Sequence, residues 1–187
     1  MSYLRTFAPW IIYAVVPDRY WMWAALAALI VSLVGIARNV RDGRPADAQL
    51  IDIGSALFFA GMTIWGFTDP HTALHPYAPA ISSGILALIA GVSIAVREPF
   101  TLAIAKQEVP QEQWSSPLFV RTGYILTSAW FASFVIGCVL MIALAHDSTP
   151  RIVVQVLAFA LPATFTVRYA AHIKAKARAL GGQAAAS

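Results

Sequence analysis

Charge is what this sequence has least of. Only 12% of its 187 residues are Asp, Glu, Lys or Arg, against about 25% in soluble domains. Five stretches, residues 20–37, 50–67, 78–96, 118–145 and 152–167, carry almost no charge. Cysteine is nearly absent too: Cys138 is the single one, which excludes an intrachain disulfide, a CxxC redox pair and a thiolate cluster. Its neighbours, SFVIGCVLM, mark it as a small buried apolar residue. There is no GxSxG elbow, HExxH pair, P-loop or paired-carboxylate spacing. No histidine lies inside an apolar stretch, which excludes a bis-histidine haem between helices. The pattern therefore assigns no catalytic residue, cofactor or metal, and we read the chain as a non-enzyme.

What is present is hydrophobic length. Residues of the types AVILMFWYC make up 59% of the chain, and a helix needs about 20 apolar residues to cross a bilayer. The expected fold is an all-α polytopic membrane protein with five transmembrane helices. A short first segment, FAPWIIYAVV, adds a half-span or a sixth helix. At 1.5 Å per residue it is short for a comfortable crossing, so the sequence leaves open whether residues 6–16 cross or re-enter. It lacks the small-residue cleavage site of a secretory signal. Residues 99–107, PFTLAIAKQ, predict a short helix with proline in its first turn, lying at the membrane surface. Residues 1–170 form one membrane domain, and 171–187 a basic tail whose Gly/Ala end is expected to be disordered.

The basic residues are distributed one-sidedly. With the first segment crossing, Arg5, Arg38, Arg41, Arg44, Arg97, Lys106, Arg121, Arg168, Lys174, Lys176 and Arg178 fall on one side, and Arg19 and Arg151 on the other. By the positive-inside rule the populous side, with the C-terminus, is cytoplasmic. The net charge of +4 thus points to headgroups and not to nucleic acid. Aromatic residues at span ends, such as Tyr20, Trp21 and Trp23, suit an interfacial belt. Small residues at spacing four, Ala24-Ala28-Ser32, Ala87-Gly91-Ala95 and Ala129-Ser133-Gly137, mark three helix-packing seams.

Few side chains invite chemistry. Asp52 stands one turn into the third apolar stretch, where the helix dipole and Arg38 or Arg41 would hold it. Gln155 is the main strongly polar residue deep in a span and suits one interhelical hydrogen bond. A transporter for a neutral or lipid-like substrate would line a cavity with Asp52, Gln155, Ser82, Ser83, Ser93 and Thr127, with Pro162 as a hinge. His71 and His75, four apart, and His146 share the outer side. The prolines around the first two oppose a continuous helix, and whether the three bind a metal is not legible here. His172 sits among basic residues, where headgroup contact accounts for it.

One further pattern is longer. QLIDIGSALFFAGMTIWGFTDP is followed by a span ending in Arg97-Glu98-Pro99-Phe100, a surface helix, Val109-Pro110, Trp114, and a span bearing Trp130-Phe131 and Phe134. This order resembles the bacterial intracellular septation protein A family of inner-membrane proteins. The resemblance covers roughly residues 5–145, most specifically 50–131; where the family has a motif closer to Lys-Pro-Leu, this chain has Arg-Glu-Pro-Phe. It implies a non-enzymatic role in envelope maintenance or septation, with membrane lipids and other inner-membrane proteins as partners. The interaction elbow would be Arg97, Glu98, Pro99, Phe100, Pro110 and Trp114. An accessory subunit of a larger membrane complex fits the same apolar surfaces.

Overall fold

The computed structural model describes residues 2–43, 49–70, 72–107 and 109–184. Seven helices follow one another: α1 Ser2–Val15, α2 Trp21–Arg41, α3 Leu50–Thr68, α4 Ala78–Ala95, α5 Phe100–Ala105, α6 Pro117–Ala143 and α7 Ser148–Ala184. No strand occurs among the described residues. Five of the helices, α2, α3, α4, α6 and α7, are long and apolar enough to cross a bilayer, as a multi-pass membrane protein requires. The boundaries obey the expected punctuation. Asp69 ends α3 just before Pro70, Pro117 opens α6 at its first position, and Arg38 and Arg41 occupy the last turn of α2 where the dipole favours cations.

The chain packs as two groups. α2 pairs with α3 and α1, α6 pairs with α4, α7 and α5, and α3 meets α4 between them. α1, shorter than the five spanning helices, packs inside the bundle. Phe7, early in α1, stacks on Trp130 at 5.0 Å and meets Phe100 at 6.3 Å. Tyr13, two turns later, borders His75 and Pro79 at the other end of the bundle. The helix therefore runs opposite to α2 and places its start at the end that holds Arg38, Arg97 and Arg121, called the basic end below.

Spacing explains why α1 is inside. Phe7, Trp10 and Tyr13 recur every third residue, so they share one face. Phe7 and Trp10 are buried. Trp10 stacks on Phe58 at 5.0 Å, and its indole N–H donates to Ser55 Oγ at 2.7 Å. Together with Phe59, Phe100, Trp130 and Phe134 these rings form the core. Edge and stacked ring pairs of this kind contribute about 0.5–1.5 kcal/mol each beyond area burial.

The helix at 99–107 is present as α5, but its apolar side chains face protein and not lipid. Phe100, Leu102 and Ile104 are buried, and at Gly123 a Cβ would overlap the Leu102 side chain, so only glycine admits α5 against α6. The seams are partly as expected. Ala24, Ala28 and Ser32 are buried on α2, and Ser133 and Gly137 form the contact with α7. On α4 the buried stripe is rotated to Ser83, Ala87 and Ala90, and Gly91 meets the Phe131 ring while Ala95 is exposed. α7 continues as helix through the basic tail to Ala184, and residues 185–187 lie outside the described ones.

Candidate functional site: a groove at one end of the bundle

The six polar residues that a transmembrane cavity would need do not all converge. Ser93 and Thr127 belong to the seat of α5. The first N–H groups of a helix have no internal partner, and here the Phe100 N–H donates to Ser93 Oγ at 3.3 Å and the Thr101 N–H to Thr127 Oγ1 at 3.4 Å. Thr101 Oγ1 lies 2.8 Å from Thr127 Oγ1 and donates to the Gly123 carbonyl at 2.9 Å. All three hydroxyls are buried. They hold a helix in place and line no passage.

Asp52 is at the basic end, in the first turn of α3. One of its partners there is Asn39, whose amide donates to Oδ2 at 2.8 Å. A neutral amide meets the carboxylate across the α2–α3 contact. Pro162 also has a structural partner. It has no N–H to give the Ala158 carbonyl one turn earlier, and Ser133 of α6 supplies a hydroxyl to that oxygen at 2.9 Å. The proline and the interhelical bond are one device.

The elbow is a joint. Pro99 and Phe100 are buried, Glu98 pairs with Lys106 at 3.4 Å, and the Lys106 ammonium stands 5.6 Å from the Trp114 ring centroid. The Trp114 N–H donates to the Val109 carbonyl at 3.0 Å. Arg97 is exposed with φ of 63°, the left-handed conformation that lets the chain reverse between α4 and α5. Pro110 is exposed. Of the six elbow residues, Arg97 and Pro110 are thus the ones presented outward.

Ser82, Ser83 and Gln155 do meet. They line a groove of about 360 Å³ between α1, α4 and α7 at the end opposite the basic one. Its other walls are apolar, among them Ile11, Leu86, Phe134, Val156 and Phe159, and its volume is that of small-ligand pockets. Ser82 donates to the Ala78 carbonyl at 2.8 Å. Among the described residues neither Ser83 nor Gln155 makes a hydrogen bond. Gln155 thus borders the groove without the interhelical bond the sequence had suggested.

Gln155 also borders a smaller recess of about 40 Å³ with Tyr13, Trp21, His75 and Arg151. Arg151 is only 8% exposed. Its Nη1 donates to the Pro76 carbonyl at 3.1 Å and to the Ala145 carbonyl at 3.0 Å, tying α7 to the α3–α4 connection and to the end of α6. Sequence reading passed over this residue, yet a signal was there. A cation in the first turn of a helix opposes the macrodipole, and Arg151 is one of only two basic residues on its side.

Of the histidines, His75 packs at 5.0 Å from Trp21 and His146 at 6.0 Å from Tyr77. His172 is exposed on α7, and His71 lies outside the described residues. Among the described residues no three His, Cys, Asp or Glu side chains gather in metal-binding range.

No protein-family model, curated protein or solved structure matches the chain.

Proposed function

We propose that this chain is a multi-pass protein of the bacterial inner membrane, C-terminus in the cytoplasm, that serves envelope maintenance or septation without catalysis. It acts by holding other membrane components, lipid or protein, against its bundle. One observation carries this reading: Ser93, Thr127, Asp52 and Ser133 are committed to bonds that hold helices together, so binding surfaces remain and a conducting path does not. The motif order from Gln49 to Trp130 supports the septation assignment. The sequence-based assignment of eleven basic residues to one side supports the orientation.

The test is genetic. Deleting the gene is expected to alter cell length or envelope integrity, and a copy with Arg97→Ala and Pro110→Ala is expected to restore it only in part. Normal morphology and envelope integrity in the deletion strain would sink the reading. A second reading, handling of a lipid-like molecule, is favoured by the laterally placed groove. In transport assays it predicts lipid movement that depends on Gln155, and no ion flux.

A further inference from the structure

Ser83 breaks a pattern that the rest of the bundle keeps. Every other buried serine or threonine hydroxyl among the described residues has a hydrogen-bond partner. Its neighbour Ser82 takes the usual one on a helix, the carbonyl four residues back. Ser83 is 7% exposed and takes none, yet its oxygen is not sealed in protein and stands on the groove wall. On the α7 wall Gln155 is equally unbonded among the described residues. Among those residues no Asp, Glu, Lys, Arg or His lines the groove. Its rim residues Val15, Ile152 and Val156 are exposed and apolar, so it opens sideways towards hydrocarbon. We propose that the groove holds one acyl chain of an uncharged glyceride, a diacylglycerol whose hydroxyl and ester carbonyls meet Gln155 and Ser83.

Donors and acceptors select this occupant. A carboxamide has two N–H donors and a carbonyl acceptor, and a hydroxyl has one donor and two lone pairs. A glyceride head donates through its free hydroxyl and accepts through its esters, so it can satisfy both side chains. A quinone only accepts and would leave the Gln155 carbonyl bare. A phospholipid replaces the hydroxyl with a phosphodiester, an anion that finds no counter-charge on these walls and is costly to bring there. Arg151, in the recess alongside, is buried and bound to the Pro76 and Ala145 carbonyls; it serves the fold. A helix from a second copy keeps its backbone groups bonded internally, and would fill the groove while leaving Ser83 and Gln155 unmet. Leu86 and Phe159 stand one turn further along α4 and α7 and, with Phe134, give the acyl chain an apolar wall.

The proposal rests on the reading of the bundle as one that holds membrane components, and it is tested separately, on the purified full chain in detergent. The chain would be incubated with equimolar dioleoylglycerol and dioleoylphosphatidylglycerol and gel-filtered, and the lipid carried with it quantified by mass spectrometry. Val156→Trp, on the exposed rim, fills the groove and sets the level of lipid held merely by the outer surface. Above that level we expect one dioleoylglycerol per chain, favoured about tenfold over the phospholipid, the scale of one net hydrogen bond. Ser83→Ala combined with Gln155→Leu should fold with an unchanged melting temperature, keep an acyl chain and lose the preference. Equal retention of the two lipids by the wild-type chain, or as much dioleoylglycerol on V156W, overturns the proposal. So does an undiminished preference in the double variant, a dimer in place of the lipid, or displacement of dioleoylglycerol by an equal concentration of ubiquinone. If either variant does not fold, the wild-type ratio decides. Failure here leaves the envelope phenotype standing, and a normal envelope leaves the bound glyceride standing.

Discussion

The two ends of this bundle are built from similar helices and finished differently. At the basic end, α5 is folded in against α6, its leading N–H groups are met by Ser93 and Thr127, and the Phe7, Phe100 and Trp130 rings close the centre. At the opposite end α1 has run out by Val15, and α7, which meets α1 deeper in the bundle at the Phe7–Phe159 ring pair 5.2 Å apart, pairs chiefly with α6. The gap left between α1 and α7 is the groove. The difference teaches that one short helix can do two things, sealing a bundle at one end and leaving it open sideways at the other.

That contrast can be broken first at the closed end. Trp130→Ala removes the ring that stacks on Phe7 and the indole N–H that donates to Thr166 at 3.0 Å. It should cost about 3–5 kcal/mol, the range for large aromatic truncations, measurable as a loss of folded fraction in detergent denaturation. Next, Gly123→Val pushes a side chain into Leu102; overpacking of this kind costs about 1–3 kcal/mol, and protease should then cut between residues 97 and 116 sooner than in the parent.

A smaller effect is expected where Pro162 and Ser133 cooperate. Ser133→Ala leaves the Ala158 carbonyl without its hydroxyl, at about 1 kcal/mol. In a Pro162→Ala background the backbone N–H returns, and the same change should become nearly neutral; equal costs in both backgrounds would show that the bond is incidental. Smallest of all is Ser83→Ala in the groove. No described partner is lost, and the stability change should stay within about 0.5 kcal/mol.

The sequence made the spans plain because hydrocarbon length is a coarse, additive signal. Residues 20–37 became Trp21–Arg41 and 50–67 became Leu50–Thr68. Helix rotation was far less legible. In lipid the outward and inward faces are equally apolar, which is why the α4 seam, expected along Ala87-Gly91-Ala95, came out one step round at Ser83, Ala87 and Ala90. α5 looked like a surface helix for the same reason: Phe100 and Ile104 suit lipid and protein alike, and only Gly123, 19 residues beyond Ile104, gives away the close approach.

The candidate site was half visible. Gln155, Ser82 and Ser83 were singled out by polarity in apolar runs, and they do line one groove. Asp52, Ser93 and Thr127 shared that polarity but serve helix contacts, since a hydroxyl or carboxylate in a membrane bundle must satisfy itself nearby. Tyr13 and Arg151 escaped notice. One belonged to a segment too short to rank as a span, and the other to a helix end read only for topology.

The central claim is that the bundle is closed at its basic end and laterally open at the other. The most direct measurement is photocrosslinking in bilayers with a phospholipid carrying a diazirine near the end of one acyl chain, followed by peptide mapping. Adducts are expected to be enriched at the groove residues Ile11, Val156 and Phe159, and absent from Phe7, Phe100 and Trp130. Adducts spread evenly over exposed positions such as Ile136, Val139 and Leu161, with no enrichment in the groove, would contradict the account.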